Sequence, residues 1–167
     1  YEFRDSDPDR GAIMNGTDKF GDRFSQVTYL AQGWSASDSL WFYNTSQGSN
    51  LLPYSFFLVL EQSDSSALFR SDENIDRYGY LPQRPTISNP DGLPVGMVRD
   101  RYQGKNYMGF TCAACHTTQI NYAGTGMRID GGPANSDMES FMIDLANALY
   151  ATLENPDKLD RFMIQVL

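Results

Sequence analysis

The clearest hydrophobic pattern lies in the last thirty residues of the chain. Mostly apolar residues recur there at intervals of three and four, the spacing of one helix face: Met138, Phe141, Met142, Leu145, Leu149 and Thr152. Ser136 and Glu139 have the spacing of a capping box at its start. Asn155 and Pro156 predict the end of this helix and the start of another, whose apolar spacing continues to residue 167. That last helix has no stop signal, which suggests a longer natural chain.

Shorter helices are predicted nearer the N-terminus. Ser37 or Asp38 could cap a helix over residues 39–43, and Pro53 could start another from Tyr54 to about Glu61. Residues 62–103 contain four of the eight prolines and predict long irregular connections, which in a compact domain often wrap a ligand. Because strand-like alternation is scarce, the predicted fold class is mainly α, with long irregular loops.

Composition is consistent with a globular protein of one main domain. The 167 residues are 41% hydrophobic and 13% aromatic, and their formal net charge is −8. We expect residues 1–25, which are polar and charged, to form an arm or loop, and residues 26–167 to form the domain. The acidic charge argues against a nucleic-acid partner, and it could steer a basic redox partner or only maintain solubility.

Two further features bear on location. No run of eighteen apolar residues is present, so no membrane span is predicted. The chain begins with Tyr1 rather than Met, as a processed, exported protein would.

One motif carries specific chemistry. Residues 112–116 read Cys-Ala-Ala-Cys-His, the pattern of c-type haem attachment. Cys112 and Cys115 lie one turn apart and can reach two vinyl groups, His116 can ligate the iron from the proximal side, and the small alanines let the turn approach the ring. The motif therefore predicts one covalent haem c. With no other cysteine in the chain, the haem would also act as a structural staple.

The motif has three other interpretations. A structural zinc site needs four ligands, and the two cysteines and single histidine of the chain cannot complete one without carboxylates. A redox-active dithiol would need a βαβ context, which the flanking sequence lacks. A disulfide between Cys112 and Cys115 would leave His116 unexplained.

The distal side of the iron decides the function. A six-coordinate haem transfers electrons, whereas an open face binds dioxygen or peroxide. Since the chain has no second histidine, Met97 and Met127, both in glycine-rich segments, are the candidate distal ligands. Arg128 could pair with a haem propionate, or form a surface ion pair. Trp34, Trp41 and nearby aromatic residues could wall an apolar substrate pocket or simply pack in the core.

Several short blocks resemble a known group of proteins. The blocks are Gln32-Gly33-Trp34-Ser35, Phe42-Tyr43, Gln47-Gly48-Ser49, Leu52-Pro53-Tyr54 and Leu58 to Glu61. Together with segments 109–116 and 128–133 they resemble the di-haem rubber oxygenase family. Its relatives include bacterial di-haem fatty-acid dioxygenases and, more distantly, di-haem cytochrome c peroxidases. The similarity runs from about Gln32 to Leu153.

This resemblance implies a periplasmic or secreted, mostly helical, cytochrome-c-like protein with two c-type haems in two halves. In the rubber oxygenases the first haem, here ligated by His116, binds dioxygen and cleaves a carbon–carbon double bond of an apolar substrate. In the peroxidases a second haem relays electrons to peroxide. The single motif in this chain corresponds to the N-terminal haem half, so a second haem domain is a possible partner.

The expected function is therefore that of a haem oxidoreductase which activates dioxygen or peroxide and acts on an apolar unsaturated small molecule. Loss of a relay haem would affect peroxidase chemistry more than oxygenase chemistry. The main alternative is an electron-transfer cytochrome c with a methionine distal ligand. A haem module with a structural or sensing role in a larger assembly is a third interpretation.

Overall fold

The structure, a computed structural model, describes residues 3–4 and 10–167. The strands are β1 Phe3–Arg4, β2 Gly16–Thr17, β3 Arg23–Leu30, β4 Leu52–Pro53, β5 Met97–Tyr102, β6 Lys105–Phe110, β7 Thr117–Tyr122 and β8 Gly124–Asp130. The helices are α1 Ala36–Asn44, α2 Tyr54–Val59, α3 Asp72–Arg77, α4 Ala113–His116, α5 Met138–Glu154 and α6 Pro156–Val166. The fold is thus mixed α and β, and the prediction of a mainly α, cytochrome-c-like domain is wrong.

The described strands form two sheets. The first has the order β1-β3-β8-β7, with β2 also paired to β3, and its β3–β8 pair is parallel. The second has the order β4-β6-β5 and is antiparallel. Its β5–β6 hairpin turns at Gln103 and Gly104, which both have positive φ (48° and 78°). Ala123 and Gly124 (48° and 80°) do the same between β7 and β8. Turns of this kind match the twist of the paired strands.

The sheets were missed because their inward positions are not uniformly apolar. In β8 the buried residues are Gly126, Arg128 and Asp130, whereas Met127 and Ile129 are only partly buried. A strand is normally recognised in a sequence by the apolar residues on its inward face. In β8 this pattern is inverted, because the polar residues are the buried ones. Helix α3 and strand β5 likewise lie within the region predicted to be irregular.

Two apolar clusters lie beneath the sheets. The larger packs sheet β4-β6-β5 against α2, α5 and α6, with the buried Phe141 ring at its centre, 5.3 Å from Tyr80 and 5.5 Å from Phe69. The smaller includes Val27, Tyr29 and Tyr43 under the first sheet. Segment 10–25, part of the predicted arm, contributes the buried side chains of Arg10 and Ala12, while residues 1–2 and 5–9 of that arm lie outside the described residues.

The predicted helices near the C-terminus are confirmed, with small shifts at their ends. Asp137, rather than the predicted Ser136, caps α5 by accepting from the Ser140 amide. Asn155 caps α6 by accepting from the amides of Asp157 and Lys158.

Near the N-terminus, the capping box of α1 is formed by Ser35 and Asp38. Helix α2 follows Pro53, as expected. In the described part of the chain, no helix is both long and apolar enough to cross a membrane.

Helix α6 is fastened to the segment after α2 by a buried carboxylate. Glu61 accepts two hydrogen bonds from Arg161, at 2.6 Å and 2.8 Å, and one from Lys158 Nζ at 3.2 Å. Lys158 Nζ also donates to the carbonyls of Gln62, at 2.7 Å, and Ser65. The two hydrogen bonds from Arg161, and then the one from Lys158, hold the pKa of Glu61 at about 2.

This pKa predicts acid sensitivity. An unfolded glutamate titrates at about 4.3, so ionised Glu61 stabilises the fold fully above that pH, and the contribution is lost as pH falls towards 2. We expect E61Q to lower the melting temperature at pH 7 and to flatten its decline between pH 5 and pH 2. The matched control is E154Q, at an exposed position at the end of α5, which should keep the wild-type pH profile. Parallel profiles for E61Q and wild type would contradict this assignment.

Candidate functional site

The cysteine-histidine motif forms a single helical turn with two distinct sides. Ala113 and Ala114 are each 1% exposed, whereas Cys112, Cys115 and His116 are all exposed. Residues three and four apart on a helix share a face, so the two thiols and the imidazole project to the same side. The turn therefore presents its three reactive side chains outwards and buries the two alanines between them.

The inner side of the turn fits closely against the start of β5. A Cβ added to Gly96 would lie 2.1 Å from Ala114 Cα, a distance no real side chain tolerates. Ala113 belongs to the smaller core cluster and Ala114 to the larger, so the turn sits where the two clusters meet. The small size of the alanines thus serves packing within the protein.

A second segment, residues 131–136, hydrogen-bonds to the back of the turn, and we call it the strap. Gly131 donates its amide to the carbonyl of His116 at 2.6 Å, and Ala134 donates to the carbonyl of Cys115 at 2.9 Å. Ser136 Oγ donates to the carbonyl of Ala114 at 3.4 Å. The final carbonyls of a helix have no partner within it, so the strap supplies the donors that this short helix lacks.

Asp130, the residue before the strap, is the centre of a buried hydrogen-bond network. One carboxylate oxygen accepts from Arg10 Nη1 at 2.7 Å, and the other accepts from Tyr43 Oη at 2.6 Å and from Thr117 Oγ1 at 3.3 Å. Gln32 Nε2 donates to its backbone carbonyl at 2.6 Å. The Asp130 side chain is 1% exposed. Because Thr117 directly follows His116, this network fixes the point at which the turn becomes strand β7.

Aromatic residues take part in this buried network in two ways. Burial, and then the charge of Asp130, raises the pKa of Tyr43 well above its ordinary value, so this phenol remains a donor. The guanidinium carbon of Arg10 lies 3.6 Å from the centroid of the Tyr29 ring, a cation–π contact. Sequence reasoning missed the network because Arg10 and Asp130 are 120 residues apart.

Arg128 lies in the interior, not on the surface. It is 2% exposed, and its Nε and Nη2 atoms donate to Gln119 Oε1 at 3.2 Å and 2.8 Å. Burial opposes its charge, but the neighbouring Tyr29, Tyr43 and Asp130 raise the pKa of Arg128 overall. Arg128 therefore does not form the exposed ion pair that was the alternative. Its pairing with a haem propionate stays a prediction.

The two candidate distal methionines differ in burial. Met97 is 3% exposed, is part of the larger core cluster and follows Gly96, so it lies on the inner side. Met127 is partly buried on the outward face of β8, opposite the exposed Ile120 of β7. Of the two residues, Met127 is the more exposed, and the choice of distal ligand stays a prediction.

The two tryptophans are also separated. Trp34 packs against Phe42 with ring centroids 5.2 Å apart, whereas Trp41 is 63% exposed. Trp34 therefore packs against a neighbouring ring, and Trp41 projects into solvent.

The motif side chains do not gather around a single point. Among the residues that the structure describes, no group of three or more His, Cys, Asp or Glu side chains is close enough to hold a metal ion. The zinc alternative therefore has no ligand set there. Haem attachment has a different requirement, because the sulfurs bond to carbon atoms of the ring and only the imidazole meets the iron.

Comparison with known proteins gives one informative match. No family model matches the chain, and no solved structure matches it. The chain is similar to an uncharacterized protein, y4iJ, of Sinorhizobium fredii, with 32% identity over 167 aligned positions that cover 87% of the chain. It spans only 27% of the length of that relative.

The fit between Gly96 and the turn predicts a large effect of one methyl group. G96A should lower the free energy of unfolding by about 1–3 kcal/mol more than G48A, measured by chemical denaturation. Gly48 is the matched control because both glycines have φ of 86° and a Cβ on Gly48 would meet nothing within 4 Å. Equal losses in the two variants would mean that the backbone conformation alone, and not packing against Ala114, sets the cost.

The Asp130 network predicts a difference in stability between two further variants. D130N replaces the anion of a buried ion pair with a neutral amide and should cost about 3 kcal/mol of unfolding free energy. D144N disrupts the exposed pair between Arg77 and Asp144, whose side chains are 59% and 38% exposed, and should cost about 1 kcal/mol or less. If D130N proved no more costly than D144N, Asp130 would not be the central support of the turn.

Proposed function

We propose that this chain carries one covalent haem c and acts as an oxidoreductase that activates dioxygen or peroxide at the iron. Cys112 and Cys115 would hold the haem through thioethers, and His116 would be the proximal iron ligand. One observation carries the proposal: two thiols and an imidazole project outwards from a turn whose intervening alanines are buried. The resemblance to the di-haem rubber oxygenase family supports the reaction class.

The attachment chemistry uses only groups that the turn presents. Each thiol adds across a vinyl double bond, so a sulfur–carbon bond forms and the thiol proton goes to the other vinyl carbon. No oxidant or reductant is consumed. His116 must be neutral to donate a nitrogen lone pair. The strap and Gly96 keep the turn in one position, which limits the ordering needed when the haem is bound.

The surface beside the turn offers apolar contact for a flat ring. Strand β7 runs directly from His116, and its outward face carries Ile120 and Tyr122, which are 49% and 74% exposed. Met127 and Ile129 of β8 lie on the same face. Covering these side chains would remove apolar surface from water. This apolar face supports attachment of the ring on the side of the turn that leads into β7.

An open distal face is favoured by the burial of Met97 and by the lack of a second histidine. The chain has no second histidine, and Met97 is packed within the core. A haem with a free coordination position supplies binding and activation of dioxygen or peroxide. We propose an apolar unsaturated small molecule as the substrate, since that is what the resemblance implies.

Met127 favours a second candidate function. Its side chain lies on the same outward face as Ile120, where a ring attached at the turn could be covered. A methionine ligand there would close the iron and make the protein an electron-transfer cytochrome c with a redox partner. The two candidates differ in one measurable property, which is access of a small ligand to reduced iron.

The location and the partners of the protein follow from the same proposal. Thioether attachment points to an oxidising, periplasmic or secreted location. Because the relative is much longer than this chain, we propose that a second haem domain accompanies this one in the whole protein. The net charge of −8 supports a basic redox partner over nucleic acid.

The test is production of the chain in a host that matures c-type cytochromes. Wild type should retain haem after denaturation and solvent extraction, because a thioether survives both. The double variant C112S/C115S should release its haem, and M14L, remote in sequence from the motif, should behave as wild type. Absence of extraction-resistant haem from the wild type would refute haem attachment.

Carbon monoxide then separates the two candidate functions. Reduced wild type should shift its Soret band rapidly on addition of carbon monoxide, as open iron does. If the band does not move in wild type but moves in M127L, Met127 closes the iron and the electron carrier is correct. M108L, which alters a buried core methionine that is not a candidate distal ligand, is the control for nonspecific loosening.

A further inference from the structure

Helix α5 has a second apolar side, opposite to the one that packs in the core. Its buried residues recur at intervals of four, three and four along one side: Phe141, Leu145, Ala148 and Thr152. Its exposed apolar residues recur at intervals of three, four and three, and we call them the outer stripe: Ile143, Ala146, Tyr150 and Leu153. At 3.6 residues per turn, the two sets lie on opposite sides of the helix.

The large side chains of the outer stripe are open to solvent. Ile143 is 53% exposed, Tyr150 is 66% exposed and Leu153 is 68% exposed. Only three of the seventeen residues of α5 are charged, and none of these lies between residues 145 and 153. A helix that is apolar on most of its sides is normally buried. We therefore expect the outer stripe to be covered in the assembled protein.

The spacing of the outer stripe indicates what kind of surface would cover it. Intervals of three, four and three are those of the a and d positions of a coiled coil, which pack against an equivalent row of side chains on another helix. The seventeen residues of α5 make a helix about 25 Å long. Because its buried side already holds α5 in helical form, no cost of ordering a free helix opposes such a contact.

A second copy of α5 in antiparallel orientation fits the outer stripe. With a two-fold axis near Ala148, Tyr150 of each copy lies opposite Ala146 of the other, and Ile143 lies opposite Leu153. The largest side chain of the outer stripe then fills the space beside the smallest. A parallel arrangement would instead oppose two tyrosines and leave a gap between two alanines. The outer stripe is thus complementary in shape to itself when the helices are antiparallel.

The charges of α5 also permit contact between two copies. Glu139 and Glu154 lie at the ends of the helix, so the middle of the outer stripe brings no carboxylates together. The net charge of −8 on each chain repels a second copy at longer range. Salt screens that repulsion and leaves apolar contact intact. Association through the outer stripe should therefore strengthen as salt is added.

We propose that the outer stripe packs against the outer stripe of a second copy, so that two chains form a reversible dimer through antiparallel α5 helices. This dimer does not depend on the proposed haem. One pair of short helices buries less surface than a permanent interface does, so its affinity should be micromolar rather than nanomolar.

The test is sedimentation equilibrium of the 167-residue chain in a reducing buffer, in which the exposed thiols of Cys112 and Cys115 cannot link two copies. The average mass should rise from 18.8 kDa towards twice that value as the concentration increases from about 1 μM to about 500 μM. Raising the salt concentration from about 50 mM to about 500 mM should lower the dissociation constant.

Exposed positions allow variants that leave the fold intact. Y150E should raise the dissociation constant about tenfold or more, because it places a carboxylate in an apolar contact. I87E is the matched control, since Ile87 is fully exposed outside the helices and the same change there should leave dimerisation as in wild type. L153E replaces Y150E if circular dichroism shows that Y150E does not fold.

The double variant A146K/Y150E tests the orientation of the helices. Only in the antiparallel arrangement does each introduced lysine lie opposite an introduced glutamate, so this variant should associate more tightly than Y150E. Three results would each overturn the proposal: a mass of 18.8 kDa at every concentration, equal dimerisation of wild type, Y150E and L153E, or no gain for A146K/Y150E over Y150E. The first would assign the outer stripe to contact with another part of a longer polypeptide, such as the relative has.

Discussion

The buried carboxylate of Asp130 is the constraint on which the motif region depends. An ionised group is stable in the interior only when donors surround it, and the donors of Asp130 come from separate parts of the chain. Arg10 belongs to the N-terminal segment, Tyr43 to α1 and Thr117 to β7. These parts must therefore assemble together. Since Thr117 adjoins His116, the same assembly determines where the reactive turn lies.

The turn is constrained on its inner and rear sides and free on its outer side. Gly96 gives the inner side its close contact, and the strap satisfies the carbonyls at the rear. A site held by such supports keeps its side chains near one geometry. The proposed haem attachment uses this property, because two thiols must reach two fixed points on a rigid ring while one imidazole reaches its centre.

Local features could be predicted from the sequence, and long-range ones could not. The apolar spacing from Met138 and the cap at Asn155 predicted α5 and α6 because a helix is specified by near neighbours. Strand β8 was missed because its inward side carries Arg128 and Asp130. The motif was visible as five consecutive residues, but nothing near Asp130 in the sequence pointed to Arg10. Arg128 was predicted either to pair with a haem propionate or to form a surface ion pair, whereas its burial beside Gln119 depends on the register of two strands.

The parallel pairing of β3 with β8 has a consequence for the order in which the protein folds. Gln26 and Thr125, which bond across this pair, are 99 residues apart. Pairings that close such long loops form slowly. During synthesis β3 also remains without its partner β8 until most of the chain has emerged from the ribosome. Cys112 and Cys115 are made before β8, the strand that completes their surroundings. For that interval both thiols belong to an incompletely folded chain, and the exposed edge of β3 is open to incorrect pairing with other chains.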